Sequence, residues 1–305
     1  MAAGNKTVIY AALIGNGLIS ITKFVAAGIT GSAAMMAEGI HSLVDTGNQG
    51  LLLFGLRKAK KPADKLHPLG HGKEVYFWSF VVAVLIFALG AGISLYEGWH
   101  RTMHPEPVEN PVVNFVVLGL AICFESVAWY LAWKEFRKFQ GRRSLNAAVK
   151  AAKDPTTFIV LFEDTAAMLG LVVAGVGLGI SAAFDLPIFD GIATLCIGAI
   201  LTGTAIWMAI RVKSLLIGEA ADEEVIDDVR RRADELPAVL SVNDVITLHM
   251  GPNFILVNVS VDFRDDVPAG EVETAIEKLT REIRDAHVDV KRVFIEAERS
   301  GKAAD

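Results

Sequence analysis

Six stretches of this chain are each apolar for about the 20 residues that a helix needs to cross a hydrocarbon core of about 30 Å. They run over 7–29, 32–56, 75–99, 111–133, 155–183 and 188–210. A segment in lipid must satisfy its own backbone hydrogen bonds, so each stretch reads as a helix and the chain as an α-helical membrane protein with six transmembrane helices. A mean hydropathy of +0.43 agrees, since soluble domains rarely average above zero. Glycine recurs inside the stretches, as in ALGAGIS and VAGVGLG, which suits closely packed membrane helices. MAAGNKTVIY offers no cleavage site, so the first stretch is expected to remain as a span rather than leave as a signal peptide. Cys123 and Cys196 each lie in an apolar run, which excludes a disulfide scaffold and predicts two small buried core residues.

The basic residues orient the spans. The loop RKAKKPADKLHPLGHGK carries six Lys or Arg, and KEFRKFQGRRSLNAAVKAAKD carries seven. The alternate connections, ITGS, HRTMHPEPVENP and AAFDLP, hold a single Arg101 among them. The positive-inside rule then expects both basic loops and both termini in the cytoplasm. Trp78, Trp99, Trp129, Trp133 and Tyr96 are expected as interface anchors and packing groups.

Beyond Gly218 no apolar run of span length remains, and the composition becomes that of a soluble cytoplasmic domain. DEEVIDDVRRRADEL and VETAIEKLTREIRDA have helical periodicity, while SVNDVITLHMG, FILVNVSVDF and DVKRVFIEAE alternate as strands. The order αββαβ predicts a small two-layer α+β domain. The expected division is 1–217 for the membrane domain, 218–298 for the cytoplasmic domain and 299–305 for a disordered tail. With a formal net charge of −6, no nucleic-acid partner is expected.

Against this background the second span is anomalous. AEGIHSLVDTGNQ puts Glu38, His41, Asp45 and Asn48 into a segment meant for lipid, where one central ionisable residue costs about 3 kcal/mol. At about 100° per residue these four fall within an arc of roughly 80°, one stripe that must face a bundle interior or an aqueous cavity. His41 and Asp45 are one turn apart, a spacing that lets two ligands reach one ion, though a hydrogen-bonded packing cluster would use the same stripe. Asp45 lies roughly 19 Å from the outer end of its span, and Asp164 of FIVLFEDTAAMLG roughly 13 Å from the cytoplasmic end of the fifth. In a core about 30 Å thick these depths agree, and Glu125 of AICFESVAW reaches nearly the same level in the fourth span. Glu163 and Asp164 point about 100° apart, so one of them shares the site while the other carries a proton or bonds a neighbouring helix.

DKLHPLGH adds a second constellation. Asp64, His67 and His71 form D-x-x-H-x-x-x-H at metal-ligand spacing, in a loop interrupted by proline and glycine. Loop histidines of this kind are also common as exposed or interfacial groups. His100 and His104 share the spacing without a nearby acid and read as surface residues.

In combination, H-x-x-x-D in AEGIHSLVDTGNQGLLLFG, the loop HPLGHGKEVYFWSF, KDPTTFIVLFEDTAA and the αββαβ tail resemble the cation diffusion facilitator family over nearly the whole chain. They look most like its branch of mitochondrial zinc transporters and bacterial relatives. The resemblance implies a homodimeric exporter that exchanges cytoplasmic Zn2+, or a similar divalent ion, for protons. It also implies a ferredoxin- or metallochaperone-like tail that helps dimerise the protein. The family's second-span pair matches His41 and Asp45, and its loop metal site matches Asp64, His67 and His71. In much of the family the fifth span supplies a His and an Asp four apart. Here Asp164 stands for the Asp, but Val160 holds the other place and cannot bind a metal. Glu163 or Glu125 then replaces the missing ligand, or the site binds more weakly or through water. In the tail, Asn243 and Asn258 stand where histidines are expected, with Glu296 and Glu298 near the end of the last strand, so dimerisation without zinc sensing is expected.

Two other classes compete. An intramembrane metalloenzyme would need clustered histidines, and only one of the seven lies deep in a span, so the chain reads as no enzyme. A non-transporting scaffold or metal-responsive regulator would keep the fold while losing part of the site, as at Val160. The short chain fits the inner membrane of a bacterium as its expected location.

Overall fold

The computed structural model describes residues 2–30, 33–105 and 111–300. The chain divides into two compact units, Met1–Lys58 with Glu74–Lys213, and Ala59–Lys73 with Ser214–Asp305.

The first unit is built from long helices: α1 (Ala2–Thr30), α2 (Ala33–Lys58), α3 (Glu74–Leu85), α4 (Gly92–Met103), α5 (Pro111–Gln140), α7 (Thr156–Phe184) and most of α8 (Ile188–Ile217). A π-helical turn, Ile86–Ala91, joins α3 to α4 as one rod. The short α6 (Leu145–Ala151) follows Ser144, whose hydroxyl accepts the Ala147 N–H and so caps the helix. Five helices among the described residues are long and apolar enough to cross a membrane: Val8–Val25, Glu74–Met103, Val112–Gln140, Phe158–Phe184 and Ile188–Ile217. The second of the six expected spans forms α2 and is not among these five. Of the stripe, Asn48 is buried and Asp45 partly so, and Gln49 and Leu52 beside them on α2 are buried. Where α4 meets α8 the backbones touch: a Cβ on Gly191 would lie 2.6 Å from the Thr102 nitrogen, so only glycine permits this approach.

One expectation is corrected here. Cys123 and Cys196 are exposed on α5 and α8 rather than buried in the core. A helix face turned to lipid and a helix face turned to the bundle are both apolar, so hydropathy alone does not separate them.

In the second unit α9 (Glu223–Asp234), β1 (Val239–Gly251), β2 (Phe254–Phe263), α10 (Ala269–Ala286) and β3 (Val290–Ala297) follow one another in the predicted order. β1 and β2 pair antiparallel as a hairpin closed at Gly251 and Phe254. β3 returns parallel to β2, which requires the crossover that α10 supplies. Val257, Val259 and Val261 turn inward from β2 onto Val229 of α9 and Leu279 and Ile283 of α10. The basic loop 59–73 belongs to this unit. A Cβ on Gly72 would come within 2.4 Å of the Met250 carbonyl oxygen, and Lys73 Nζ donates to the Leu216 and Ile217 carbonyls at 3.4 Å each.

Candidate metal centre

In the first unit a cavity of about 270 Å3 is lined by side chains of the long helices. Asp45 from α2, Glu125 from α5 and Glu163 from α7 all face it. Glu125 and Glu163 are buried, and Asp45 is partly so. These carboxylates lie close enough to act on one another electrostatically. Such a concentration of negative charge in an apolar bundle is stable only with protons or cations to balance it.

Glu163 is held from two sides. Asn48 Nδ2 donates to its Oε1 at 3.2 Å, and Gln49 Nε2 to its Oε2 at 3.3 Å. The amides leave Asn48 Oδ1 and Gln49 Oε1 buried without a hydrogen-bond partner, and Asp164 Oδ2 is in the same condition. Oxygens of this kind suit a cation, since each is an acceptor with no donor to meet it. Asp164 is buried and does not line the cavity, yet it lies close enough to Glu125, Glu163 and Asp45 to act on them electrostatically. Of the adjacent acids it is Glu163 that lines the cavity with Asp45 and Glu125. Val160 is fully buried. His41 lies on α2 one turn before Asp45, but its side chain, like that of Glu38, lies outside the described residues.

Two cationic residues that the sequence did not single out as part of the site also line the cavity. Arg101 donates to Asp190 of α8 at 2.6 Å and to Glu97 at 2.8 Å, an ion-paired cluster that ties α4 to α8. Lys23 of α1 is buried and donates to Ser42 Oγ at 3.0 Å. Its position in a span was a visible signal, because a lysine there needs an acceptor or an anion beside it.

The loop triad closes in the second unit. Ligand atoms of Asp64, His67 and His71 all lie within 4.8 Å of one another. Asp64 Oδ1 accepts the backbone N–H groups of Leu66 and His67 at 2.9 and 2.7 Å, a turn that fixes the carboxylate. His67 Nδ1 is 3.3 Å from Oδ1 and His71 Nε2 is 3.0 Å from Oδ2. The His71 imidazole first, and then the His67 backbone N–H, hold the Asp64 carboxyl well below the usual carboxylate range. Tetrahedral zinc with ligands about 2.0–2.2 Å away sets its donors roughly 3.3 Å apart, so one nitrogen from each histidine and one Asp64 oxygen could converge on such an ion. The tail positions behave otherwise. Asn243 Nδ2 donates to the Glu298 carbonyl at 2.8 Å, and Ser260 Oγ donates to Glu298 Oε2 at 2.8 Å, a closed hydrogen-bond set.

A multi-helix membrane protein with an acidic cavity among its helices is thereby defined. The chain belongs to the cation diffusion facilitator family: the family model for the cation efflux transmembrane domain matches residues 9–217. This is a family of transporters, not enzymes. Among its relatives, the human mitochondrial proton-coupled zinc antiporter SLC30A9 is 31% identical over 262 residues, covering 85% of this chain and 46% of the relative. Metal tolerance protein C4 of Arabidopsis thaliana is 29% identical over 288 residues, covering 94% of this chain and 61% of the relative. The cation-efflux pump FieF of Yersinia enterocolitica is 23% identical over 267 residues, covering 87% and 83%. The chain thus spans about half the length of the human relative it matches.

Proposed function

We propose that this protein is a proton-coupled antiporter that exports divalent cations, Zn2+ foremost, from the cytoplasm. The observation that carries the reading is the meeting of Asp45, Glu125 and Glu163, from three different helices, in one buried cavity. With His41 one turn away on α2, the set offers nitrogen and oxygen donors, which zinc accepts in four-coordinate geometry. An all-oxygen set would have favoured magnesium or manganese. Asp164, buried and in electrostatic contact with the same carboxylates, is able to hold a proton or to turn into the site. Carboxylates and imidazole must give up protons to bind the ion, so metal and protons compete for the same groups. Alternating exposure of such a site exchanges metal outward for protons inward. The zinc antiporter relative is consistent with this coupling.

The same reading takes α2 as the sixth span, the basic loops and both termini as cytoplasmic, and the protein as a homodimer in a lipid bilayer. Asp64, His67 and His71 form a resident zinc site in the loop, and the tail acts without zinc. Zinc uptake into inverted proteoliposomes is the test: Asp45→Ala is expected to abolish it, and undiminished uptake by that variant would remove the assignment. The alternative, a metal-binding scaffold that does not transport, draws on the buried Val160 in place of a family ligand. Zinc binding by the wild-type protein with no uptake would select it.

A further inference from the structure

Lys23 has no part in the antiport reading so far, yet it lines the cavity that the reading gives to the ion. About two turns from the end of α1, a lysine can ordinarily extend its stem and place its ammonium in water. Lys23 does the opposite. The residue is 6% exposed, lines the same cavity as Asp45, Glu125 and Glu163, and donates inward to Ser42, one turn before Asp45 on α2. It interacts electrostatically with Glu125 of α5. Arg101, the other cationic residue among the described residues of the lining, is engaged by Glu97 and Asp190 on α4 and α8.

We propose that Lys23 is a tethered counter-cation of the transport cavity: its ammonium balances the carboxylates when no metal is present, and an entering divalent ion must displace or outweigh it. The proposal rests on the cavity being the metal site. Two consequences follow from charge alone. The empty cavity keeps a cation inside the bundle, so its carboxylates are not left uncompensated in a medium of low dielectric. Bound metal is held less tightly than the same carboxylates alone would hold it, which favours release after each crossing. A lysine that served only to tie α1 to α2 through Ser42, with its charge screened from the carboxylates, would have neither effect.

The test is the Zn2+ dissociation constant of the full chain in lipid nanodiscs at one pH and salt concentration, measured by calorimetry. All proteins carry His67→Ala and His71→Ala so that the loop does not contribute. Lys23→Gln keeps a hydrogen-bond donor and removes the charge; it is expected to bind Zn2+ about tenfold more tightly, a change of about 1.4 kcal/mol. Lys23→Arg keeps the charge and is expected to bind as the parent does. Should Lys23→Gln fail to fold, Lys23→Met removes the charge with a side chain suited to a lipid-embedded helix. Equal affinity in the neutral variants and the parent, or tightening in Lys23→Arg as well, overturns the proposal. A wild-type protein that takes up no zinc while the neutral variants still bind more tightly counts against the transport reading alone.

Discussion

Asn48 of α2 and Glu163 of α7 are joined across the bundle by a hydrogen bond of 3.2 Å, 115 residues apart in the chain. Gln49 completes the clamp on the other carboxylate oxygen. Hydrogen bonds to a charged group are worth about 1.5–3 kcal/mol when buried, enough to decide which way a carboxylate points. Asn48→Leu and Gln49→Leu are each expected to raise the zinc concentration needed for half-maximal uptake by about tenfold or more. The double variant should fall short of the product of the two, since both bonds hold one group. Single variants with wild-type concentration dependence would show that Glu163 is oriented by something else.

The loop triad yields a stoichiometry. His71→Ala removes a ligand and the first cause of the low Asp64 titration. The variant is expected to retain one zinc fewer per chain after desalting, by elemental analysis, while uptake through the cavity persists. Imidazole ordinarily takes up a proton near pH 6.5 and a carboxylate near 4, and metal binding needs both deprotonated. Asp64 stays ionised far into acid, so release of the loop zinc on acidification should be governed by the imidazoles. Asp64→Asn is then expected to weaken binding and to raise the pH at which half of the zinc is released, while the steepness of release stays that of the two imidazoles.

In the second unit Asp228 of α9 makes a pH-dependent tie to α10. Its Oδ2 accepts from Arg232 Nε and His287 Nε2, both at 2.7 Å, and Arg231 bonds the other oxygen. The Arg232 bond first, then His287 and Arg231, lower its carboxyl from 3.8 to about 2. A depressed carboxylate stabilises the fold above its unfolded value and ceases to do so as pH falls through the folded one. The contribution should therefore be complete above about pH 4 and vanish toward about pH 2. The group is partly solvent-exposed, so about 1 kcal/mol is the appropriate scale. Asp228→Asn should lower the melting temperature of the second unit at pH 7 and leave it unchanged at about pH 2.

Gly72 tests whether the basic loop depends on its packing within the second unit. An added Cβ would meet the Met250 carbonyl at 2.4 Å, a backbone atom that cannot rotate away. Gly72→Ala is expected to cost about 1–3 kcal/mol. It should also open 59–73 to protease before the helices are cut, which limited proteolysis and peptide mapping would reveal. An uncut loop with unchanged melting would mean that the contact is dispensable.

Much of this molecule was legible along the chain, because its information there is local. Alternating valines in FILVNVSVDF and the periodicity of VETAIEKLTREIRDA predicted β2 and α10, and the order αββαβ followed. The stripe from His41 to Asn48 announced a protected polar face, since lipid offers no other place for it. The spacing of Asp64, His67 and His71 anticipated a convergence that the loop achieves. What tertiary structure decided was rotation about each helix axis and the choice of partner, which periodicity does not encode. It turned Glu163 to the cavity lining, brought Asn48 and Gln49 onto it, and put Cys123 and Cys196 on the outside. It drew Lys23 inward and joined the loop 59–73 to a unit that begins again more than a hundred residues later. Hydropathy specifies that a residue leaves water; only packing against neighbours distant in sequence specifies what it meets there.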